Sequence, residues 1–295
     1  MGELAALGSS LVWACASILF SKLGKSMSGL SMNASKCTLA LLFFIPTLLW
    51  REGVLWPAGI SDYSLGLLGV SALVGLTLGD TAYFGSLIRL GPAKALLLTA
   101  LVPPVTAILG FVCLDESLTL QALGGMALAI GGVTWVVQER APDAAGERAG
   151  VDKIGIALGV LAAVCQASGA VLMKLADADS QLSALGVSVV RLALGVAGLL
   201  VLVALRRELP ALIKPLREPR TLGIMMVATF LGTFMGIWLM NYGFLNAQVG
   251  VAATLNSTSP IWVLPLAAIF LHERISARTA LGAVIAVAGV ALLLL

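Results

Sequence analysis

The chain has 295 residues, 59% of them hydrophobic and only 11% charged, with a formal net charge of +3. Soluble domains carry about 25% charged residues, so this composition cannot furnish a water-facing surface. The same scarcity excludes a basic, aromatic-lined face for nucleic acid.

The apolar residues fall into runs of about 20, the length that crosses a ~30 Å hydrocarbon core as a helix. In chain order they are Leu4–Phe20, Met32–Trp50, Tyr63–Ile88, Ala95–Leu114, Leu118–Val137, Ile154–Met173, Leu182–Leu205, Leu222–Leu245, Val249–Leu271 and Ile275–Leu295. They predict an all-α membrane protein of ten transmembrane helices. Glu3 stands where a signal peptide would be basic, and no small-residue cleavage site follows, so the first run is expected to be retained.

In the first run Trp13 is a candidate wall for a solute. The second run carries Lys36 about a turn inside its start. A cation at that depth is costly unless it snorkels or faces a wet cavity. The third holds Asp80, within GLTLGDTAYFGSL. An embedded carboxylate must face a bundle interior or water, so it can take up a proton, pair with a charge, or simply bond a neighbour such as Thr77 or Thr81. The functional alternative is adopted, and Tyr83, at i+3, shares its helical face. Pro103 in the fourth run removes a backbone donor, so it kinks or breaks its helix. Glu116 opens the turn into the fifth run and is expected to cap it.

Residues 139–153 form a polar surface linker. Beyond it, Gln166 lies in the sixth run and Arg191 in the seventh, where the latter is a candidate reader of an anionic solute together with Lys36. Arg206–Arg220 is rich in proline and cations, which suits an interfacial segment on lipid headgroups. Trp238 and Asn241 in the eighth run, with Asn256 and Thr258 ahead of Pro260 in the ninth, complete the set of cavity candidates. Glu273, like Glu116, is expected to cap the next helix.

Sliding Gly75–Val133 by 157 places lays it without a gap on Gly232–Val290. Gly75, Gly79, Pro103, Glu116, Gly125 and Gly132 all fall on identical residues. Residues 12–23 repeat at 164–175, and Lys36 corresponds to Arg191. The chain is therefore read as two five-helix repeats, 1–138 and 154–295. Asp80 falls on Ile237, so its carboxylate is not part of the shared scaffold.

Five alternate connections hold 14 of the 18 Lys and Arg residues. By the positive-inside rule these connections are cytoplasmic and both termini lie outside. An odd number of helices per repeat inverts the second copy, an arrangement typical of transporters.

Enzyme signatures fail. Cys15, Cys37, Cys113 and Cys165 show no metal-binding spacing, and His272 is the only histidine. HERIS is not HExxH, and LGD lacks both the first glycine and the second aspartate of an intramembrane protease dyad. Neither an enzyme nor a cofactor or metal is expected.

With these residues assembled, the chain resembles the drug/metabolite transporter superfamily, in particular its EamA-type ten-span members. The resemblance rests on the duplication, on GDTAYFGSLIRLGPAKA at Gly79–Ala95, and on the run from Pro103 through LDESLT to Val133, echoed by Pro260…LHERIS. It implies a carrier of small metabolites such as amino acids, exporting them from the bacterial or archaeal inner membrane through a cavity between the halves. It also implies cytoplasmic termini, against the Lys/Arg count.

Alternating access is expected, with Asp80 as the proton- or charge-coupling group. An electroneutral exchanger and a non-transporting sensor or scaffold stand as alternatives. The partners expected are lipid, a solute and protons, with a homodimer left open and no nucleic acid.

Overall fold

The computed structural model describes residues 1–57, 59–113, 118–138, 152–177, 182–246, 255–273 and 275–294. Glu116, residues 139–151 of the linker and residues 247–254 lie outside them. Helix is the only regular structure among the described residues.

The helices are α1 (Gly2–Leu23), α2 (Gly29–Glu52), α3 (Asp62–Ser71), α4 (Asp80–Thr99), α5 (Val102–Cys113), α6 (Leu120–Val137), α7 (Lys153–Asp177), α8 (Ala184–Leu205), α9 (Leu209–Leu216), α10 (Pro219–Thr229), α11 (Gly236–Asn246), α12 (Ser259–Leu271) and α13 (Ala277–Leu294). A π-helical segment, Ala72–Gly79, joins α3 to α4, and a second, Phe230–Met235, joins α10 to α11. Eight helical stretches are long and apolar enough to cross a bilayer. Two shorter apolar helices, α5 and α12, stand within the expected fourth and ninth runs.

Local chemistry sets the boundaries. Ser28, Ser61, Thr119 and Ser183 each accept a backbone N–H of the first turn through the side chain, which satisfies a donor the helix cannot. Inside α4, Gly91 has φ +77°, a conformation open to glycine and strained for other residues. The chain therefore turns at Gly91–Pro92, and the third run ends there although the helix nominally continues to Thr99. Pro103 and Pro260 were expected to interrupt their helices, and each occupies the first turn of a restarted helix, α5 or α12. At that position the missing N–H has no intrahelical partner to lose. The fourth and ninth runs are thus broken rather than bent, at residues 100–101 and 257–258. Among the described residues α9 buries no side chain, consistent with an interfacial position.

The two halves meet through matched contacts. In α6 and α13, a Cβ on Gly125 would lie 2.7 Å from the Gly289 carbonyl oxygen, and one on Gly289 would lie 2.7 Å from that of Gly125. The partner rises along one helix as it falls along the other: Gly125 meets Gly289, and Gly132 meets Gly282. Those helices are repeat mates, so the second copy runs opposite to the first. The helix caps repeat the pattern. Ser28 donates to Glu208 over 2.7 Å, and Ser183 donates to Glu52 over 2.6 Å. Gly75 packs on Gly169, while Gly232 packs on Ala16 and Trp13. Small residues at these crossings let backbones touch, which is how helices associate where no hydrophobic drive remains.

Chain direction distinguishes two faces. The start of α1, the end of α2, the start of α8 and the end of α13 share the terminal face; the ends of α1 and α8 share the opposite, basic face.

Candidate functional site

Asp80 is the first residue after the Ala72–Gly79 π-segment. A π-turn disturbs the regular carbonyl ladder, and such segments gather at functional sites. Here Asn33, wholly buried on α2, makes good part of the disturbance: its amide donates to the Leu76 carbonyl at 2.7 Å and to the Thr81 hydroxyl at 3.0 Å. Thr81 is therefore engaged with Asn33 rather than with Asp80, and Thr77 donates to the Gly195 carbonyl instead. Neither threonine therefore holds Asp80, and the alternative of a carboxylate bonded to Thr77 or Thr81 does not hold.

The carboxylate is held by Lys36. Its ammonium donates directly to Asp80 Oδ2, and the two side chains are 4% and 15% exposed. Burial at that depth is tolerable only because the charges neutralise each other. Gln166 Nε2 approaches the other carboxylate oxygen at 3.4 Å. The Lys36 ammonium also sits 5.4 Å from the Phe84 ring centroid.

This pair faces a cavity of about 360 Å³ between the halves, whose wall includes Trp13, Gln166, Arg191, Ile237 and Asn256. A second cavity of about 580 Å³ lies beside it and shares Trp13, Gln166, Asn256 and Ser259 with the first. Its outer wall is made by Leu118 before α6 and Leu294 at the end of α13. A third, of about 290 Å³, is lined by Arg51, Glu52 and Ser183. Those residues are all at the terminal face, so the second and third cavities reach that face.

The basic face is filled instead. Phe20, Leu23, Met27, Phe84 and Leu87 are buried together, with the Phe20 and Phe84 rings edge to face at 5.0 Å. Arg89 binds Asp152 through three hydrogen bonds of 2.9–3.2 Å. The backbone N–H of Gly155 and the Arg89 guanidinium together hold the Asp152 carboxyl below the usual aspartate range.

Arg191 reaches the same cavity from α8. Its Nη1 donates to the Met173 thioether at 3.2 Å, and its buried Nε has no hydrogen-bond partner. No carboxylate among the described residues forms an ion pair with it. The charged groups on this cavity are therefore Lys36, Asp80 and Arg191, which sum to one positive charge.

Other expected residues are placed differently. Tyr83 is 2% exposed, bonds the Ser17 hydroxyl at 3.0 Å and stacks on Trp13 at 5.9 Å. It supports the cavity wall from behind rather than lining it. Trp238 lines the third cavity, with Arg51 5.9 Å from its ring, and is absent from the central one. Thr258 clamps the break before α12, bonding Ser10 at 2.9 Å, Trp262 Nε1 at 3.2 Å and the Leu255 carbonyl at 2.6 Å. The Asn241 side chain and Glu116 lie outside the described residues.

Glu273 is not the expected cap. Ser276 caps α13 by accepting from the Thr279 N–H, while Glu273 Oε1 lies 2.6 Å from where a Gly91 Cβ would be. Burial raises its carboxyl above the ordinary glutamate range, and Lys94 pulls the other way. Met173, Met240, Ser9 and Ser259 also line the central cavity; short hydroxyls and thioethers in apolar runs carry no signal that separates them from packing residues.

Comparison with known proteins bears on what such a cavity serves. The profile of the EamA-like transporter family matches residues 1–138 and 153–295. An uncharacterized transporter of Archaeoglobus fulgidus is 28% identical over 298 aligned positions, covering 99% of this chain and 97% of that protein. The uncharacterized transporter YvbV of Bacillus subtilis (strain 168) is 29% identical over 137 positions, a match spanning 46% of this chain and 44% of that protein. A solved crystal structure superposes with a TM-score of 0.64 at 17% identity, covering 99% of this chain and 95% of the other, which speaks for the fold alone.

Proposed function

The chain belongs to the EamA-like transporter family, a multi-pass integral membrane transporter, and we infer that it is a secondary carrier exporting small metabolites by alternating access. The observation that carries this reading is the Lys36–Asp80 pair facing a cavity where two oppositely directed halves meet. Inverted repeats place such sites near the midplane and expose them to each side in turn.

Contacts present in both copies hold in every state, whereas contacts present in only one copy mark the state observed. The glycine crossing of α6 and α13 and the two serine–glutamate caps belong to the first class. The packing of Tyr83 on α1 belongs to the second: its bond to Ser17 has no chemical equivalent at the mates Gly169 and Met240, yet Tyr83 is buried while Met240 lines the open cavity. This asymmetry favours rocking that opens the basic face by parting α1 from α4 and closes the terminal face by the equivalent contact between α7 and α11.

Asp80 is the coupling group in this reading. Opening the basic face separates it from Lys36 and leaves the carboxylate free to couple transport to a proton or to a second charge. Substituting Asp80 alone would strand a buried ammonium, so the test removes both charges. Purified protein in liposomes is assayed with labelled amino acids and other metabolites, with and without a pH gradient. The wild type is expected to show saturable, gradient-driven flux that Lys36→Met/Asp80→Asn loses while remaining monodisperse. Wild-type gradient-driven flux in that variant would overturn the role of Asp80. Flux that ignores the gradient and requires solute on the opposite side would support the exchanger instead.

A further inference from the structure

The repeat that built the Lys36–Asp80 pair also built its counterpart without the carboxylate. Lys36 lies seven residues into α2 and Arg191 seven residues into α8, and their helices open with the same serine cap. Asp80 is the first residue after the first π-segment and Ile237 the second residue after the other, and the 157-place register makes them mates. Arg191 and Ile237 both line the central cavity. Arg191 is thus a guanidinium at a position whose mate is an ion pair, with an aliphatic side chain where the anion belongs.

An unpaired cation in a membrane interior is costly, and this one retains an unsatisfied buried Nε and a thioether as its other partner. Asp80 cannot supply the balance, because Lys36 already neutralises it. From this juxtaposition we infer that the solute carries an anionic group, a carboxylate or another group of like charge, which docks on Arg191 in the place that Asp80 takes beside Lys36.

The guanidinium presents several donors in a plane, the geometry that binds a carboxylate with two parallel hydrogen bonds. The surrounding wall fits an organic body: Trp13, Met173 and Met240 offer apolar and polarisable contact, and Gln166 and Asn256 offer hydrogen bonds. Docking an anion brings the cavity to neutrality, so the loaded carrier closes over its site at lower electrostatic cost than the empty one. That difference ties the conformational change to occupancy.

This inference rests on the carrier reading above and names the class of solute for the same site. The full-length protein is tested in detergent and in liposomes. The probes are a set of organic monocarboxylates that includes benzoate, indole-3-acetate and labelled amino acids, each carboxylate matched by its uncharged primary amide and by an amine of the same skeleton, with chloride as the inorganic control. Binding is read as a ligand-dependent rise in thermal midpoint, and transport as saturable uptake.

Carboxylates are expected to bind and their amides not. Arg191→Gln should weaken carboxylate binding by about tenfold to a hundredfold, with Arg191→Lys retaining part of it. Ile237→Asp supplies the missing anion from the protein itself, so it should raise the thermal midpoint without ligand and abolish carboxylate binding. That second variant keeps the test meaningful if Arg191→Gln fails to fold.

Binding of amides as tight as that of acids, a response to chloride alone, or full carboxylate binding in Ile237→Asp would overturn the inference. Flux of amides or amines with none of the acids would overturn the anion assignment and leave the carrier reading intact. No binding and no flux with any class would overturn both.

Discussion

Gly132 and Gly282 meet backbone to backbone: a Cβ on Gly132 would come within 2.8 Å of the Gly282 carbonyl oxygen, and one on Gly282 within 3.1 Å of that of Gly132. No other residue type fits at either position without separating α6 from α13. Gly131, one residue away, has nothing within 4 Å of its Cβ site. Gly132→Leu is therefore expected to cost about 1–3 kcal/mol through overpacking, read as a lower thermal midpoint in detergent, while Gly131→Leu leaves the midpoint unchanged. Equal behaviour of the two variants would show that the halves are not fixed along this line.

The Lys36–Asp80 pair makes a prediction about stability that is separate from transport. Removing one partner leaves the other charged and buried, which costs about 3–5 kcal/mol, whereas replacing both with apolar groups is close to neutral. Asp80→Leu and Lys36→Met should each lower the thermal midpoint, and the double variant should recover most of the loss without recovering flux. The double-mutant cycle is the measurement. Additive losses would mean that the two charges are solvated independently.

Much of this was legible in the sequence because the duplication writes the same residues twice. The glycines at 75, 125 and 132 recur at 232, 282 and 289, and each lies at a helix crossing. Asp80, Lys36 and Arg191 stood out because a charge inside an apolar run has few places to go, and the fold brings all three to one cavity. What the sequence could not supply was the pairing, since spacing along a chain does not say which of two cations a carboxylate meets. Tyr83 shows the limit of reasoning from one helical face: three residues from Asp80, it turns to Ser17 behind the wall. Trp238 failed as a central wall for a related reason, because an aromatic in an apolar run fits a lipid-side or peripheral pocket equally well. The π-segments gave no compositional signal at all, and they are what re-aims Asp80 after Gly79.

Glu273 gives the basic face a pH dependence whose sign follows from its burial. Its carboxyl is raised above the ordinary glutamate range where it lies against Gly91, so the neutral form is favoured in this arrangement, with Lys94 opposing. The stabilisation is complete below the ordinary glutamate value and is lost as pH rises through the raised value. Thermal midpoints of the wild type and Glu273→Gln should agree at low pH, and the wild type should fall behind as pH increases. Parallel curves across the range would remove Glu273 from the closure of this face.

Accessibility decides which membrane side the observed cavity serves. Asn256 lines both central cavities, and the larger of them reaches the face that carries the end of α13. Leu87 is fully buried in the plug at the basic face. The Lys and Arg distribution predicts a cytoplasmic basic face and so an outward-open cavity, whereas the family resemblance predicts cytoplasmic termini and an inward-open one. In a background with the four native cysteines replaced, Asn256→Cys should react with a membrane-impermeant thiol reagent faster in right-side-out than in inside-out vesicles. Leu87→Cys should resist from outside and react slowly from inside, as the carrier turns over. Faster labelling of Asn256→Cys in inside-out vesicles would place both termini in the cytoplasm and make the observed state inward-open. Labelling of Asn256→Cys from one side only, whatever the solute present, would show a cavity that never changes sides and so remove alternating access.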